Sequence, residues 1–312
     1  MPTLLQQTRF ALGELGIRPH KHLGQHFLID ADVVMQMVQA AQLGPETAVL
    51  EIGPGLGVVS DVLADACGRL YLVELDQILA GRLEQRFTKR DTVQVVTADF
   101  LRLDLSTFVR PSTSPAPTSI HVVASLPYQV ATPILFRLLE HRTQFPEATV
   151  MLQKEVAERI CAAPGTKAYG VLSVLIQLYA EVETICLVEA QSFFPAPKVQ
   201  SQVIRLVFHT EPRVAVQNEK MFRRLVKGAF GQRRKTLRNA LRTAGFSDLE
   251  DIAARLKIDL QRRGETLQLE EFAALANAIS ADGLHDLDGR STSQETGPDR
   301  NLKKAASEDP TY

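Results

Sequence analysis

From Ala48 to Leu152 the chain alternates short apolar runs with amphipathic ones, and this alternation constrains the fold more than any other feature. Ala48–Ile52 reads as a strand, Val58–Ala66 as a helix, Leu70–Val73 as a strand ending in Glu74, and Gln77–Phe87 as a helix. Val93–Val96 then reads as a strand ending in Asp99, Ile120–Ala124 as one ending in Ser125, and Thr149–Leu152 as a further strand with a helix behind it. Pro133 suits the first turn of a helix through Leu139, where its missing N–H costs nothing. Strands separated by helices pair in parallel and are covered on both faces, so the expected fold class is α/β, a doubly wound Rossmann-like sheet.

Elements at the two ends complete the outline. Leu4–Ile17 reads as a short amphipathic helix, and Asp30 as the N-cap of a helix over about 32–41. Glu183–Glu189 and Gln202–His209 read as a closing antiparallel pair. Pro111 to Ser119, rich in Pro, Ser and Thr, reads as a surface loop within the sheet domain. After Thr210 the strand signals stop, and helical patterns follow at about 218–231, 234–244, 248–256 and 269–280. The expected organisation is a sheet domain over 1–210, a small all-helical domain over 211–280 and a disordered tail over 281–312.

The formal net charge of −1 hides a division. Residues 281–312 hold seven acids and four bases, which leaves the remainder near +2 with its bases clustered. Between residues 221 and 242 lie Arg223, Arg224, Lys227, Arg233, Arg234, Lys235, Arg238 and Arg242, with no acid among them. Apolar Phe222, Leu225, Val226, Phe230, Leu237 and Leu241 supply the buried face. A solvated face mixes both signs, so a cluster of one sign predicts contacts to nucleic-acid phosphates.

The loop Glu51-Ile52-Gly53-Pro54-Gly55-Leu56-Gly57 follows the first sheet strand and opens a helix. Its glycines permit a sharp turn and close approach to a ligand. A nicotinamide-binding fingerprint has its third glycine one residue later, where this chain has Val58. The ExGxGxG form points instead to S-adenosylmethionine. Glu74, 21 residues beyond Gly53, can accept from both ribose hydroxyls, and Asp99 from an adenine amino group. Three consecutive strand ends thus offer suitable groups where such sheets bind their ligands.

Ser125-Leu126-Pro127-Tyr128 ends the fourth strand and fits the (Asn/Asp/Ser)-x-Pro-(Tyr/Phe) motif of amino-group methyltransferases. An exocyclic amine delocalises its lone pair into the base ring. Acceptors aimed at its two N–H bonds favour a tetrahedral nitrogen with a localised pair. Ser125, through Oγ or its carbonyl, and the Leu126 carbonyl can supply them, and Pro127 fixes the backbone. Tyr128 can stack on an extruded base. Phe193, in Phe193-Phe194-Pro195-Ala196-Pro197-Lys198, is the candidate for the opposite wall of the base slot.

Other chemistry is not expected. Cys67, Cys161 and Cys186 are scattered, the seven histidines show no ligand spacing, and no metal site is predicted. No run of 18 apolar residues suggests a membrane span, and the N-terminus lacks a signal-peptide core, so a cytoplasmic protein is expected.

Together these motifs resemble the ribosomal RNA adenine dimethyltransferases, specifically the bacterial small-subunit type linked to kasugamycin sensitivity. The resemblance spans about residues 10–280. It is carried by His22-Leu23-Gly24-Gln25-His26-Phe27-Leu28, by Lys167 through Ser173, by Phe193 through Ser201, and most specifically by Phe230-Gly231-Gln232-Arg233-Arg234-Lys235-Thr236-Leu237-Arg238-Asn239-Ala240-Leu241. It implies transfer of methyl groups to N6 of two adjacent adenosines in the 3′-terminal hairpin loop of 16S rRNA, within an assembling 30S particle; no interface signal is obvious in the sequence, and a monomer is expected. Carried over by motif, the contacts to S-adenosylmethionine are His26, Leu28, Gly53, Glu74, Asp99 and Ser125; Gly55 of the glycine loop is expected beside them, and the basic cluster of Arg223, Arg224, Lys227, Arg233, Arg234, Lys235 and Arg238 on the RNA. The chain departs from the family's usual pattern at His26 and Ser125, both of which are usually Asn. Ser125 keeps an acceptor but loses the amide. That loss motivates a second reading, an rRNA-binding assembly factor with weakened catalysis. A third, a large-subunit rRNA methyltransferase of the macrolide-resistance type, shares the cofactor loop but not the Phe230–Leu241 string.

Overall fold

A computed structural model describes residues 2–19, 24–105 and 119–282. His22 and Leu23 of the opening motif, the expected loop up to Thr118 and the expected tail from residue 283 lie outside the described residues.

The chain begins with α1 (Leu4–Glu14), whose N-cap Thr3 and Gln6 form a capping box. Two-residue β1 (Phe27–Leu28) precedes α2 (Ala31–Ala40), and the Asp30 side chain caps α2 by accepting from the Asp32 and Val33 amides. The alternating region gives β2 (Ala48–Ile52), α3 (Val58–Ala66), β3 (Arg69–Glu74), α4 (Gln77–Phe87), β4 (Val93–Thr97) and β5 (Ile120–Ser125). It continues through α5 (Ala131–Glu140), β6 (Glu147–Gln153), α6 (Lys154–Cys161) and α7 (Val171–Gln177). Then come β7 (Ala180–Val188), short β8 (Phe193–Phe194) and β9 (Ser201–Phe208). Helices α8 (Glu219–Gly231), α9 (Leu237–Thr243), α10 (Glu250–Leu256) and α11 (Leu269–Ala281) follow. The short α7 was not expected from the sequence, because its seven residues offer less than two full turns of helical periodicity.

The main sheet has seven strands in the order β4-β3-β2-β5-β6-β9-β7. Strands β4, β3, β2, β5 and β6 are parallel neighbours, and β9 is antiparallel to both β6 and β7. The expected antiparallel pair is therefore present, with its second strand inserted between β6 and the first. Strand β2 is buried along its whole length, as expected of a strand covered on both faces. The reversal of strand order lies between β2 and β5, and their carboxyl ends carry the glycine loop and Ser125.

The described residues divide into two compact units, one running to Ala215 with Glu265–Leu269, the other Val216–Gly264 with the residues from Glu270. In the helical unit Phe222, Leu225, Val226, Leu237, Leu241, Phe272 and Leu275 are buried. Gly228 lets α8 and α9 approach closely, since a Cβ there would lie 2.7 Å from the Ala244 Cβ.

Candidate active site

The loop after β2 is held by its glycines. Gly53, Gly55 and Gly57 all have positive φ, at 68°, 60° and 81°. Gly57 is also the N-cap of α3, and a Cβ on it would lie 2.8 Å from Leu83 Cδ2. One on Gly55 would meet the Phe27 ring at 3.3 Å. The bare backbone and the α3 N-terminus fit a ligand that needs N–H groups at close range.

Glu74 sits where expected, at the end of β3, and is only 7% exposed. Its carboxylate accepts from the Gly55 amide at 2.9 Å and the Asp76 amide at 3.0 Å, which ties the strand end to the glycine loop. A carboxylate has about four acceptor positions, and those not taken by backbone amides are open to a ligand hydroxyl. Burial pushes its pKa up, and hydrogen bonds from the Asp76, Gly55 and Leu75 amides oppose the shift. Asp99 lies two residues beyond the end of β4, in a turn. Its Oδ1 accepts from the Leu101 amide at 2.9 Å, and Arg102 Nε stands 3.4 Å from Oδ2. Part of its acceptor capacity is thus committed locally.

Two side-chain environments at this edge were not read from the sequence. Glu51 is 2% exposed beneath the loop, where Ser60 Oγ donates to its Oε2 at 2.6 Å. Burial raises its pKa to about 8, opposed by the Ser60 hydrogen bond and reinforced by Glu74 and Asp61. Leu75 and Ile78 are large, exposed apolar side chains on either side of the α4 N-cap Asp76. Beside Glu74 they suit the flat apolar face of a nucleoside. The donor and acceptor set, the open glycine backbone and these apolar side chains together fit S-adenosylmethionine.

Ser125-Leu126-Pro127-Tyr128 lies against this loop. A Cβ on Gly53 would lie 3.9 Å from the Pro127 ring. The Leu126 amide donates to Met151 O at 3.1 Å, which extends the β5–β6 pairing and buries the Leu126 side chain. The Val130 amide donates to Pro127 O at 3.1 Å, closing a turn into α5. Tyr128 is part-buried, with its hydroxyl 2.7 Å from Ser201 Oγ. Burial raises the phenol pKa and the Ser201 hydrogen bond lowers it. Ser201, the last residue of the Phe193–Ser201 segment, is fully buried, and its role was not read from the sequence.

Several expected contacts are placed differently. Phe193 is 4% exposed and joins the core with Leu28, Val188 and Val203, so its ring does not form an open slot wall. The cause is strand alternation: β8 pairs antiparallel with β1, with Phe193 opposite Leu28 and Phe194 opposite Phe27. The Leu28 side chain is equally buried, so any contact to a cofactor must come from its backbone. Phe194 is half-buried and packs against the cluster formed by Ala11, Leu12, Phe27, Leu56 and Leu79, with Arg9 5.2 Å over its ring. His26 stacks on Tyr128, with centroids 5.8 Å apart and planes at 26°. Its Nδ1 lies 2.7 Å from Pro195 O. A carbonyl only accepts, so Nδ1 carries the proton.

The basic cluster is split by structure. Residues 221–242 form parts of α8 and α9 with a break at Gln232–Thr236. Arg223 pairs with Glu219 at 2.7 Å and Arg238 with Glu250 at 3.3 Å, acids that lie outside the acid-free stretch but return to it in space. Arg224 lies 4.8 Å over the Phe246 ring. Lys227, Arg233, Arg234 and Lys235 are exposed.

Among the described residues, no group of three or more His, Cys, Asp or Glu side chains is arranged to hold a metal ion. Nor is any helix there long and apolar enough to cross a membrane.

Comparison with known proteins places the chain. A curated relative from Geobacter metallireducens, a ribosomal RNA small subunit methyltransferase A, is 44% identical over 272 residues, covering 86% of this chain and 98% of its own. The protein of that name from Geobacter sulfurreducens is 45% identical, with the same coverage. A dimethyladenosine transferase from Plasmodium falciparum shares the fold with a TM-score of 0.69 at 23% identity, over 83% of this chain and 98% of its own. The 23S rRNA methyltransferase ErmE aligns with a TM-score of 0.62 at 25% identity, over 81% of this chain and 99% of its own. The family model for ribosomal RNA adenine dimethylase matches residues 16–281, and the chain belongs to that family.

Proposed function

We propose that this chain is the dimethyltransferase of small-subunit ribosomal RNA, methylating N6 of two adjacent adenosines in the 3′-terminal hairpin loop of an assembling 30S particle in the cytoplasm. The observation that carries the reading is the nearness of Gly53 to Pro127, whose ring lies 3.9 Å from where a Gly53 Cβ would stand, so that the cofactor loop faces an amine-binding motif. Similarity to the two Geobacter small-subunit enzymes, rather than to ErmE alone, favours the small-subunit target.

The residues divide the work as follows. The backbone at Gly53–Gly57 and the remaining acceptor positions of Glu74 hold the nucleoside part of S-adenosylmethionine, with Asp99 on its base. When bound, that cofactor supplies an electrophilic methyl on a sulfonium, which requires no strong general base. Ser125 and the Leu126 carbonyl accept from the adenine amine and localise its lone pair. Tyr128, anchored through Ser201, stacks on the extruded base. Positioning and electrostatics account for the acceleration. The exposed Lys227, Arg233, Arg234 and Lys235 contact RNA phosphates.

The test uses purified protein, labelled cofactor and small subunits lacking the modification. Label in N6-methylated adenines is expected. No incorporation by a protein that binds the cofactor would contradict the reading. Ser125→Asn separates the weakened-factor alternative, which requires a large gain of activity over a barely active wild type.

A further inference from the structure

We propose that Arg137 is a positioning residue for the cofactor, gripping the turn after β4 so that Asp99 is presented to the amino group of the adenine base. This rests on the cofactor role given to Asp99 above. Both Nη groups of Arg137 donate to main-chain carbonyls of that turn, Nη1 to Leu101 O at 2.7 Å and Nη2 to Leu103 O. The same two residues hold Asp99 from their other side. The Leu101 amide donates to Asp99 Oδ1 at 2.9 Å, and the Leu103 amide to Asp99 O at 3.0 Å. Each of these residues therefore joins Asp99 through its N–H to Arg137 through its C=O. A planar guanidinium with two forked donors fixes two carbonyls at once, which a point charge on a flexible stem does less well.

Helix α5 supplies a rigid mount for this grip. Its start is tied to the amine-binding motif, since the Val130 amide donates to Pro127 O at 3.1 Å and the Ile134 amide to Val130 O at 3.0 Å. Arg137 lies about two turns beyond Val130. It is part-buried, with its guanidinium 5.8 Å over the ring of buried Phe100. Gln144, just past the helix, adds a third bond of the same kind, from Nε2 to Leu105 O at 2.8 Å. One helix thus connects the turn that receives the methyl acceptor to the turn that reads the cofactor's base. Arg102, 3.4 Å from Asp99 Oδ2, is a poor substitute anchor because its side chain is 88% exposed. Groups that touch a ligand work when bonds from behind hold them to within about 0.5 Å, and Arg137 supplies such bonds to the Asp99 turn.

Calorimetry with S-adenosylhomocysteine and S-inosylhomocysteine tests the proposal on wild type, Arg137→Met and Arg137→Lys. The second ligand carries an oxygen in place of the N6 amine and so cannot donate to Asp99 from that position. Arg137→Met is expected to weaken the adenosyl ligand by about 5- to 20-fold and the inosyl ligand by less than about twofold. Arg137→Lys keeps a charged donor and is expected to recover part of that loss. It also carries the same comparison if Arg137→Met does not fold. In an Asp99→Ala background, Arg137→Met should cost little more, because its effect runs through Asp99. A merely structural role predicts equal weakening of both ligands and additive effects of the two substitutions. Either result overturns the proposal, as does unchanged affinity for both ligands. The measurement needs no RNA. A chain that binds the cofactor yet transfers no methyl to small subunits contradicts the proposed reaction and leaves the reading of Arg137 to these affinities.

Discussion

The hydroxyl of Tyr128 meets the buried Ser201 Oγ at 2.7 Å across 73 residues of sequence, fixing the ring that follows Pro127. A net hydrogen bond of this kind contributes about 1 kcal/mol, or about fivefold when all of it is expressed in the transition state. Ser201→Ala is therefore expected to lower kcat/KM for RNA by about 3- to 10-fold while leaving cofactor affinity unchanged. Tyr128→Phe removes the same bond from the other side. The double variant should be no worse than the more impaired single one, and kinetic measurement of this cycle checks the coupling.

Burial of Glu51 beneath the glycine loop gives stability a pH signature. Its folded pKa of about 8 lies above the ordinary 4.5, so between these values the folded state holds a proton that the unfolded state has released. Stability from this group is full below about pH 4.5 and declines as pH rises toward about 8. Glu51→Gln, which cannot ionise, is expected to flatten that decline and to melt higher than wild type at pH 8, by on the order of a few kcal/mol. Thermal melts across this range check it, and parallel curves would contradict it.

Gly57 combines a left-handed φ of 81° with a Cβ position 2.8 Å from the fully buried Leu83. Gly57→Ala meets both strain and overpacking, and a loss of about 2–4 kcal/mol is expected in denaturant unfolding. Gly81 is a part-buried residue of α4 with nothing within 4 Å of a Cβ, so Gly81→Ala there should be neutral or mildly stabilising.

Neutralising ion pairs rank the basic residues. Arg223 and Arg238 already face Glu219 and Glu250, whereas Lys227, Arg234 and Lys235 are exposed on a stretch of one sign. The Arg234→Ala and Lys235→Ala double variant should reduce the slope of log affinity against log salt by about 1.4–1.8. Arg223→Ala should change it less. Filter binding over a salt series measures both.

Much of this site was legible in the sequence because it sits at element ends. The glycine loop, Glu74 and Ser125 each terminate a strand whose period-two or fully apolar run is local. What was hidden depends on contacts between distant segments. Phe193 looked available beside two prolines, yet its pairing with Leu28 turns it into the core. His26 and Tyr128 are 102 positions apart, and nothing local announces their stacking. The acid-free run at 221–242 is real in sequence, but Glu219 sits one helical turn before Arg223, and Glu250 reaches Arg238 from α10. Strand β9 enters between β6 and β7 because pairing order in an antiparallel edge is not written in any one strand's pattern.

The most direct test of the account is to map dimethylated adenines in ribosomal RNA from otherwise identical cells with and without this protein. The account predicts N6,N6-dimethyladenosine at two adjacent positions of the small-subunit 3′ hairpin, present with the protein and lost without it. An unchanged small-subunit hairpin, or a modification that disappears from large-subunit rRNA instead, would contradict it.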